Sequence, residues 1–289
     1  MDLHTAGHRR GVVAAPHRAA VEAGRAVLAE GGNAIEAMVA MAAATAAVYP
    51  HMCHLGGDAF WLIREPSGRV RAIMGAGRAG ANASPAFYRE HGHDMIPARG
   101  PLAALTAPGA VATWVMALEA ARARGGRLPL RVLLEAAIRH ARDGSAVSRS
   151  QAQLTAEKLA ELAPVPGFAA TFLADGKPPA AGTVRPQGAL AATLEHLTTA
   201  GLDDFYRGDV ARELVAPRHL DDFLQTGVLG QWGGAYREDS YLVQSRCKSS
   251  CGVFRALIGK RPFTSPWSRS TAISATATRA HGPLGARSG

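Results

Sequence analysis

The sequence predicts an α+β protein that is rich in helices. Residues 37–49 form an uncharged apolar run directly after a helix-start signal, and five further helical patterns follow between residues 109 and 216. Between these regions, the segments 59–65 and 69–75 flank a Pro-Ser-Gly turn and are typical of a β-hairpin. The chain of 289 residues, 47% of them hydrophobic, is long enough to bury a core in one large or two small domains.

Two consecutive helices are predicted near the amino terminus. Residues 18–30 place their apolar side chains on one side and end at a glycine pair. Asn33 is a good N-cap for the next helix, and Glu36, three residues later, can complete a capping box. Residues 37–48 are apolar on every face, so we expect this helix to be buried on all sides.

Proline and glycine residues mark starts and ends of the later predicted helices. Pro129 stands at a plausible helix start, and Gly144 and Gly201 follow predicted helix ends. The predicted segments are 109–124, 129–142, 148–162, 187–200 and 208–216.

The net charge of +9 is concentrated in the carboxyl-terminal part of the chain. Residues 240–289 contain eight Lys or Arg and no Asp or Glu. Residues 240–289 also lack a sustained helical or strand period. We therefore expect a poorly ordered basic tail at residues 217–289, after a first region at residues 1–216. An alternative interpretation is a basic arm that binds nucleic acid or acidic lipid, although few aromatic residues accompany its cations.

The cysteine content and the amino terminus predict a cytoplasmic protein. Three cysteines are too few and too unevenly spaced for a disulfide framework, and the first residues lack the apolar stretch of a secretion signal. The apolar run at 37–49 is shorter than the ~20 residues that a membrane-spanning helix requires, so we expect no membrane role.

His51, Cys53 and His54 precede a glycine pair and permit three interpretations. They could contribute to a zinc site, but no second ligand pair occurs nearby. Cys53 could be a nucleophile if a base lay close in space. We favour the simplest interpretation, in which Gly56 and Gly57 allow a sharp turn through positive φ or a very close backbone approach. We expect neither a metal nor a cofactor.

Arg78 lies in the glycine-rich loop at residues 75–80 and is the candidate substrate-binding residue. One interpretation is a solvated loop charge. The other is a guanidinium that holds a substrate carboxylate through two charge-assisted hydrogen bonds. The sequence lacks a phosphate-binding Gly-Lys-Ser/Thr loop and a Gly-x-Ser-x-Gly nucleophile motif.

Several separated blocks, in the same order, resemble the large subunit of the γ-glutamyltransferase family. The resemblance covers about residues 11–216. The Val-Tyr-Pro-His-Met block at 48–52 and the Gly-Asp-Ala-Phe-Trp block at 57–61 are most similar to the oxamate amidohydrolase branch. The blocks that carry the resemblance lie at residues 11–17, 22–24, 31–36, 50–51, 56–60, 101–110, 128–129, 134–138 and 141–144.

The resemblance implies a partial αββα sandwich of the N-terminal-nucleophile hydrolases. In this family a precursor cleaves itself, and the new amino-terminal threonine of the small subunit attacks an amide of a small carboxylate-bearing substrate, such as a γ-glutamyl compound or oxamate. Arg78 matches the arginine of the large subunit that binds the substrate carboxylate, although Ala79 replaces the acidic residue that usually follows it.

The resemblance places the catalytic threonine outside this chain, so no residue here is expected to be catalytic. Thr198 and Thr199 lie near a predicted helix end, and Thr271 lies in the basic tail without the family's surrounding residues. We therefore expect a truncated enzyme half that needs a small subunit, and a frameshift near residue 217 would explain why the family pattern stops there.

Overall fold

The structure is a computed structural model, and it describes residues 11–79, 83–98, 101–103, 106–165 and 167–214. The α-helices in these ranges, α1 to α11 in chain order, are Arg18–Ala29, Ala34–Val48, Pro85–Glu90, Ala110–Arg122, Leu130–Asp143, Arg149–Glu157, Leu159–Leu162, Phe168–Phe172, Gly188–Ala200, Asp204–Arg207 and Asp209–Leu214. Strands β1 to β4 are Ala59–Arg64, Val70–Gly75, Ser145–Ala146 and Val184–Arg185, and a short 3-10 turn spans Pro101–Ala103.

Helix α2 lies at the centre of the core, as its apolar sequence predicts. It packs against α1, α4 and α5, and α9 packs against α5. Most of its residues are buried, and Met38, which is 46% exposed, is the main exception. A helix with apolar side chains all round is stable only when neighbours cover it, so the surrounding helices are arranged around α2.

The predicted capping box at the start of α2 is present and reaches beyond its own helix. Asn33 Oδ1 accepts hydrogen bonds from the backbone N–H groups of Ile35 and Glu36, and Glu36 Oε2 accepts from Asn33 N at 2.8 Å. The other Glu36 oxygen accepts from Leu128 N at 2.8 Å, just before α5. Asn33 Nδ2 also donates to the carbonyl of Ala121 at the end of α4. One buried carboxylate and one amide therefore join the ends of three helices.

The predicted hairpin forms between β1 and β2, which pair antiparallel. Its inner face carries Ile63 and Ile73, which are buried in the main core, and Trp61, whose Nε1 donates to Thr113 Oγ1 of α4 at 2.9 Å. Its outer face carries Phe60 and Leu62, which are 67% and 71% exposed. The two faces differ because side chains alternate along a strand.

Glu65 forms ion pairs at the turn end of the hairpin, and one of them attaches this end to the segment directly after α4. Glu65 Oε1 accepts hydrogen bonds from Arg71 Nε and from Arg124 Nη2, each at 2.5 Å. Desolvation opposes ionisation of Glu65, but the hydrogen bond from Arg71 and the nearby positive charges outweigh it and hold its pKa below the usual value. Beside this cluster, a cavity of about 410 Å³ opens between β2 and α4.

The predicted element positions agree with the structure to within a few residues, with one correction. Residues 148–162 do not form a single helix, because the backbone at Lys158 has φ −99° and ψ 1° and separates α6 from α7. No glycine or proline marks this break. The short helices α3, α8 and α10 and the two-residue ladder of β3 and β4 are additions that the sequence pattern did not predict.

The predicted basic tail lies outside the described residues, as do Cys247, Cys251 and Thr271. Among the residues that the structure does describe, no helix is both long enough and apolar enough to span a bilayer.

Replacing Glu36 by alanine should destabilise the protein strongly. The substitution leaves the backbone N–H groups of Asn33 and Leu128 without their acceptor, and each such loss costs about 1–3 kcal/mol. We expect the free energy of unfolding in a urea titration to fall by about 2–5 kcal/mol. Glu30→Ala is the matched control, because Glu30 is exposed and should change stability by less than about 0.5 kcal/mol. Equal effects of the two substitutions would contradict the assigned role of Glu36.

Candidate active site

Three chain segments meet at the end of the hairpin where Arg78 lies. They are the Gly57 turn (residues 55–58), the Arg78 loop (residues 75–79) and the Thr106 segment (residues 106–109), which leads into α4. Gly77 N donates to Asp58 Oδ1 at 2.9 Å, and Ala107 N donates to the Arg78 carbonyl at 2.9 Å. Ala79 forms a β-bridge with Thr106. The backbone of Arg78 is thus fixed from both sides.

Glycine is required where the Arg78 loop meets the Thr106 segment. A Cβ atom at Gly77 would overlap the carbonyl oxygen of Ala107, and one at Gly109 would overlap the carbonyl oxygen of Gly75. These are backbone atoms, which cannot move aside as a flexible side chain could. The glycines therefore permit a backbone-to-backbone contact that sets the position of Arg78.

The glycine pair contacts the start of α4 through a backbone carbonyl. Neither Gly56 nor Gly57 is among the glycines with positive φ. Instead, the carbonyl of Gly57 accepts hydrogen bonds from Gly109 N at 3.0 Å and Ala110 N at 2.9 Å. It thereby satisfies donors at the start of α4, which has no side-chain cap. Cβ atoms at Gly56 and Gly57 would meet nothing closer than His54 of the same turn, at 3.3 Å, so the structure shows neither positive φ nor a very close approach to a neighbouring segment at this pair.

The Arg78 side chain is exposed, while its backbone belongs to the fixed junction. A guanidinium has five N–H donors in a planar fork, and this geometry matches the two oxygens of a carboxylate. A long side chain on a fixed backbone loses less freedom on binding than one on a flexible loop. The arrangement suits a carboxylate-binding group.

His51, Cys53 and His54 do not form a metal site in the structure. His51 Nε2 lies 3.1 Å from Ser150 Oγ, whereas Cys53 is exposed and His54 is exposed beside Gly57. Although the residue is exposed, partial desolvation of its thiol by neighbouring protein atoms raises the pKa of Cys53. A raised pKa leaves less thiolate at neutral pH and makes Cys53 a poor nucleophile.

Among the described residues, His196, Asp204 and Asp209 bring three potential metal-ligand atoms within 4.8 Å of one another. Their contacts indicate a structural role. Asp204 accepts hydrogen bonds from Asp209 N at 3.1 Å and Val210 N at 2.9 Å, which caps α11, and it lies 3.1 Å from His196 Nε2. Asp209 pairs with Arg212. The carboxylates are therefore used in holding the last helices together.

Two residues at the junction received no role from the sequence. Asp58 lies within a block that carries the family resemblance, but its hydrogen bond to Gly77 spans 19 residues and has no local signature. Thr106 pairs with Ala79 across a similar separation. By contrast, Thr198 and Thr199 lie at the end of α9, as predicted, and donate to helix carbonyls.

Comparisons with known proteins agree with the family resemblance. The family model described as Gamma-glutamyltranspeptidase matches residues 20–222. The oxamate amidohydrolase proenzyme of Klebsiella pneumoniae is 51% identical over 205 residues, which cover 71% of this chain and 38% of that protein. The glutathione hydrolase-like YwrD proenzyme of Bacillus subtilis is 36% identical over 236 residues, which cover 79% of this chain and 43% of that protein.

The structure is also similar to solved members of the family. The crystal structure of Helicobacter pylori gamma-glutamyltranspeptidase superposes with a TM-score of 0.66 at 29% identity, covering 73% of this chain and 60% of that one. The predicted fold class is confirmed as the helix-rich part of an N-terminal-nucleophile hydrolase. The chain spans about two fifths of the length of the two curated relatives described above. On these grounds the chain belongs to the gamma-glutamyltranspeptidase family of hydrolases and acyltransferases.

Proposed function

We propose that this chain is the substrate-carboxylate-binding half of an amidohydrolase or acyltransferase. Its substrates are small amides that carry a carboxylate, with oxamate and γ-glutamyl compounds such as glutathione as the leading candidates. The chain is inactive alone, because the nucleophilic threonine is supplied by a small subunit. The observation that carries this proposal is the position of Arg78 at the junction where backbone hydrogen bonds join three chain segments.

The similarity to an oxamate amidohydrolase favours a very small substrate. Oxamate has its carboxylate directly bonded to the amide carbon, so a group that fixes the carboxylate also fixes the scissile bond. Positioning of this kind lowers the barrier by converting an encounter into an intramolecular step. Arg78 then contributes orientation, and the amino-terminal threonine of the small subunit contributes attack and proton transfer.

The outer face of the hairpin is the surface that we propose for the small subunit. Phe60 pairs with Met74 and Leu62 with Ala72 across the two strands, so their apolar side chains share one face. Phe60, Leu62 and Met74 are 67%, 71% and 48% exposed. A contiguous exposed apolar sheet face of this kind is typical of a surface that another polypeptide covers. The part of the relatives' length that this chain does not span is the candidate for that polypeptide.

Arg78→Ala should abolish the preference for a charged substrate. The assay uses this chain co-expressed with the carboxyl-terminal remainder of the Klebsiella relative, and it measures ammonia release from oxamate and from uncharged ethyl oxamate. Loss of the guanidinium should lower kcat/KM for oxamate by about 10- to 100-fold and leave ethyl oxamate nearly unchanged. Arg78→Lys should have a kcat/KM for oxamate between those of the parent and Arg78→Ala, since lysine keeps the positive charge but lacks the planar guanidinium donors.

Arg25→Ala is the matched control for this experiment, because Arg25 is an exposed arginine on α1. It should behave like the parent with both substrates. An unchanged ratio of the two kcat/KM values in Arg78→Ala would refute the carboxylate-binding role of Arg78.

Leu62→Asp should prevent assembly with the small subunit without unfolding the chain. Leu62 is 71% exposed, so the charge costs little in the isolated chain but would be desolvated beneath a partner. We expect affinity for the carboxyl-terminal remainder of the relative to fall by more than about 100-fold, measured by pull-down and light scattering. Met95→Asp is the control, since Met95 is 81% exposed and belongs to neither strand of the hairpin. If Leu62→Asp still assembles with the carboxyl-terminal remainder, the outer face of the hairpin is not the surface that binds the small subunit.

A further inference from the structure

A second group of reactive side chains lies where the turn after α2 meets the start of α6. His51 Nε2 is 3.1 Å from Ser150 Oγ. Ser148 Oγ is 3.0 Å from the same hydroxyl, and Tyr49 OH is 3.4 Å from it. All four residues are partly buried, so the cluster is sheltered but reachable from solvent. Tyr49 and His51 lie in a block that carries the family resemblance, but neither the resemblance nor the proposed function assigns this cluster a role.

Ser150 is not needed for capping its helix. Ser148 is the N-cap of α6, and its Oγ accepts a hydrogen bond from Gln151 N at 3.1 Å. Ser150 stands within the first turn, where backbone N–H groups have no intrahelical acceptor. Those donors and the positive end of the helix dipole favour negative charge near the Ser150 side chain. The position therefore suits an oxygen that becomes negatively charged during a reaction.

His51 is held in an orientation that suits a general base. Its ring packs against that of Tyr49, with centroids 4.2 Å apart and an interplanar angle of 58°. Burial lowers the pKa of His51, so the imidazole is neutral at neutral pH. Its Nδ1 is buried without a hydrogen-bond partner. In the tautomer that carries the proton on Nδ1, Nε2 accepts the Ser150 hydroxyl proton.

We propose that Ser150 and His51 form a nucleophile–base pair that takes up acyl groups from small activated esters. A hydroxyl and an imidazole within hydrogen-bond distance are the minimal arrangement for such chemistry. Ser150 Oγ attacks the acyl carbon and forms a new C–O bond, while its proton moves to His51 Nε2. The ester C–O bond breaks, and the departing oxygen takes the proton from His51. The product is an acylated Ser150 and a free alcohol or phenol.

The test uses p-nitrophenyl acetate and the full chain. After timed incubation, tryptic peptides are sequenced by mass spectrometry, and cleavage after Arg149 and Lys158 isolates Ser150 in a short peptide. We expect acetylation of Ser150, together with a burst of p-nitrophenol. His51→Gln keeps a polar side chain but removes the base, and it should slow Ser150 acetylation by at least about 100-fold.

Two controls make the outcome decisive. Ser67→Ala removes a serine from the exposed hairpin turn and should leave the burst unchanged. Ser150→Ala should abolish the burst, and circular dichroism melting checks that it remains folded. The mass-spectrometric mapping of acetyl groups on the unsubstituted chain remains informative even if Ser150→Ala does not fold. Acetyl groups found only on lysines, or acetylation of Ser150 that persists at the same rate in His51→Gln, would overturn the proposal.

Discussion

The fold depends on one constraint, which is that helix α2 must be covered on nearly every side. Its apolar surface cannot face water, so α1, α4 and α5 must surround it. Its amino-terminal donors must also be satisfied within the protein interior. Asn33 and Glu36 meet that need, and the same two side chains bind the end of α4 and the start of α5. Helix packing and backbone hydrogen bonding are thus satisfied by a single arrangement.

This arrangement positions the candidate site. Helix α4 lies against α2 on one side and against the inner face of the hairpin on the other. Its first turn is capped by the carbonyl of Gly57, and the segment before it pairs with the Arg78 loop. Short backbone contacts therefore fix the Arg78 backbone relative to the helical core. A site built in this way is preorganised, which lowers the cost of binding a small anion.

Local patterns predicted most of the fold, because their physical causes are local. The capping box, the apolar helix and the hairpin turn each depend on residues within a few positions of one another. The break at Lys158 was not predicted, since no glycine or proline marks it. The contacts of the candidate site join distant segments, as in the hydrogen bond between Asp58 and Gly77. Spacing along the chain carries no signal for such contacts. The glycine-rich loop identified Arg78 as a candidate but left two interpretations open, and the family resemblance favoured carboxylate binding.

We propose that this chain binds the substrate carboxylate and that another polypeptide carries the nucleophile. Intact-mass spectrometry of the purified chain after prolonged incubation tests this most directly, combined with sequencing of every amino terminus present. We expect one species with the mass of the intact chain of 289 residues and a single amino terminus. Two associated fragments, the second beginning with threonine, would contradict it, because this chain would then carry its own self-processed nucleophile.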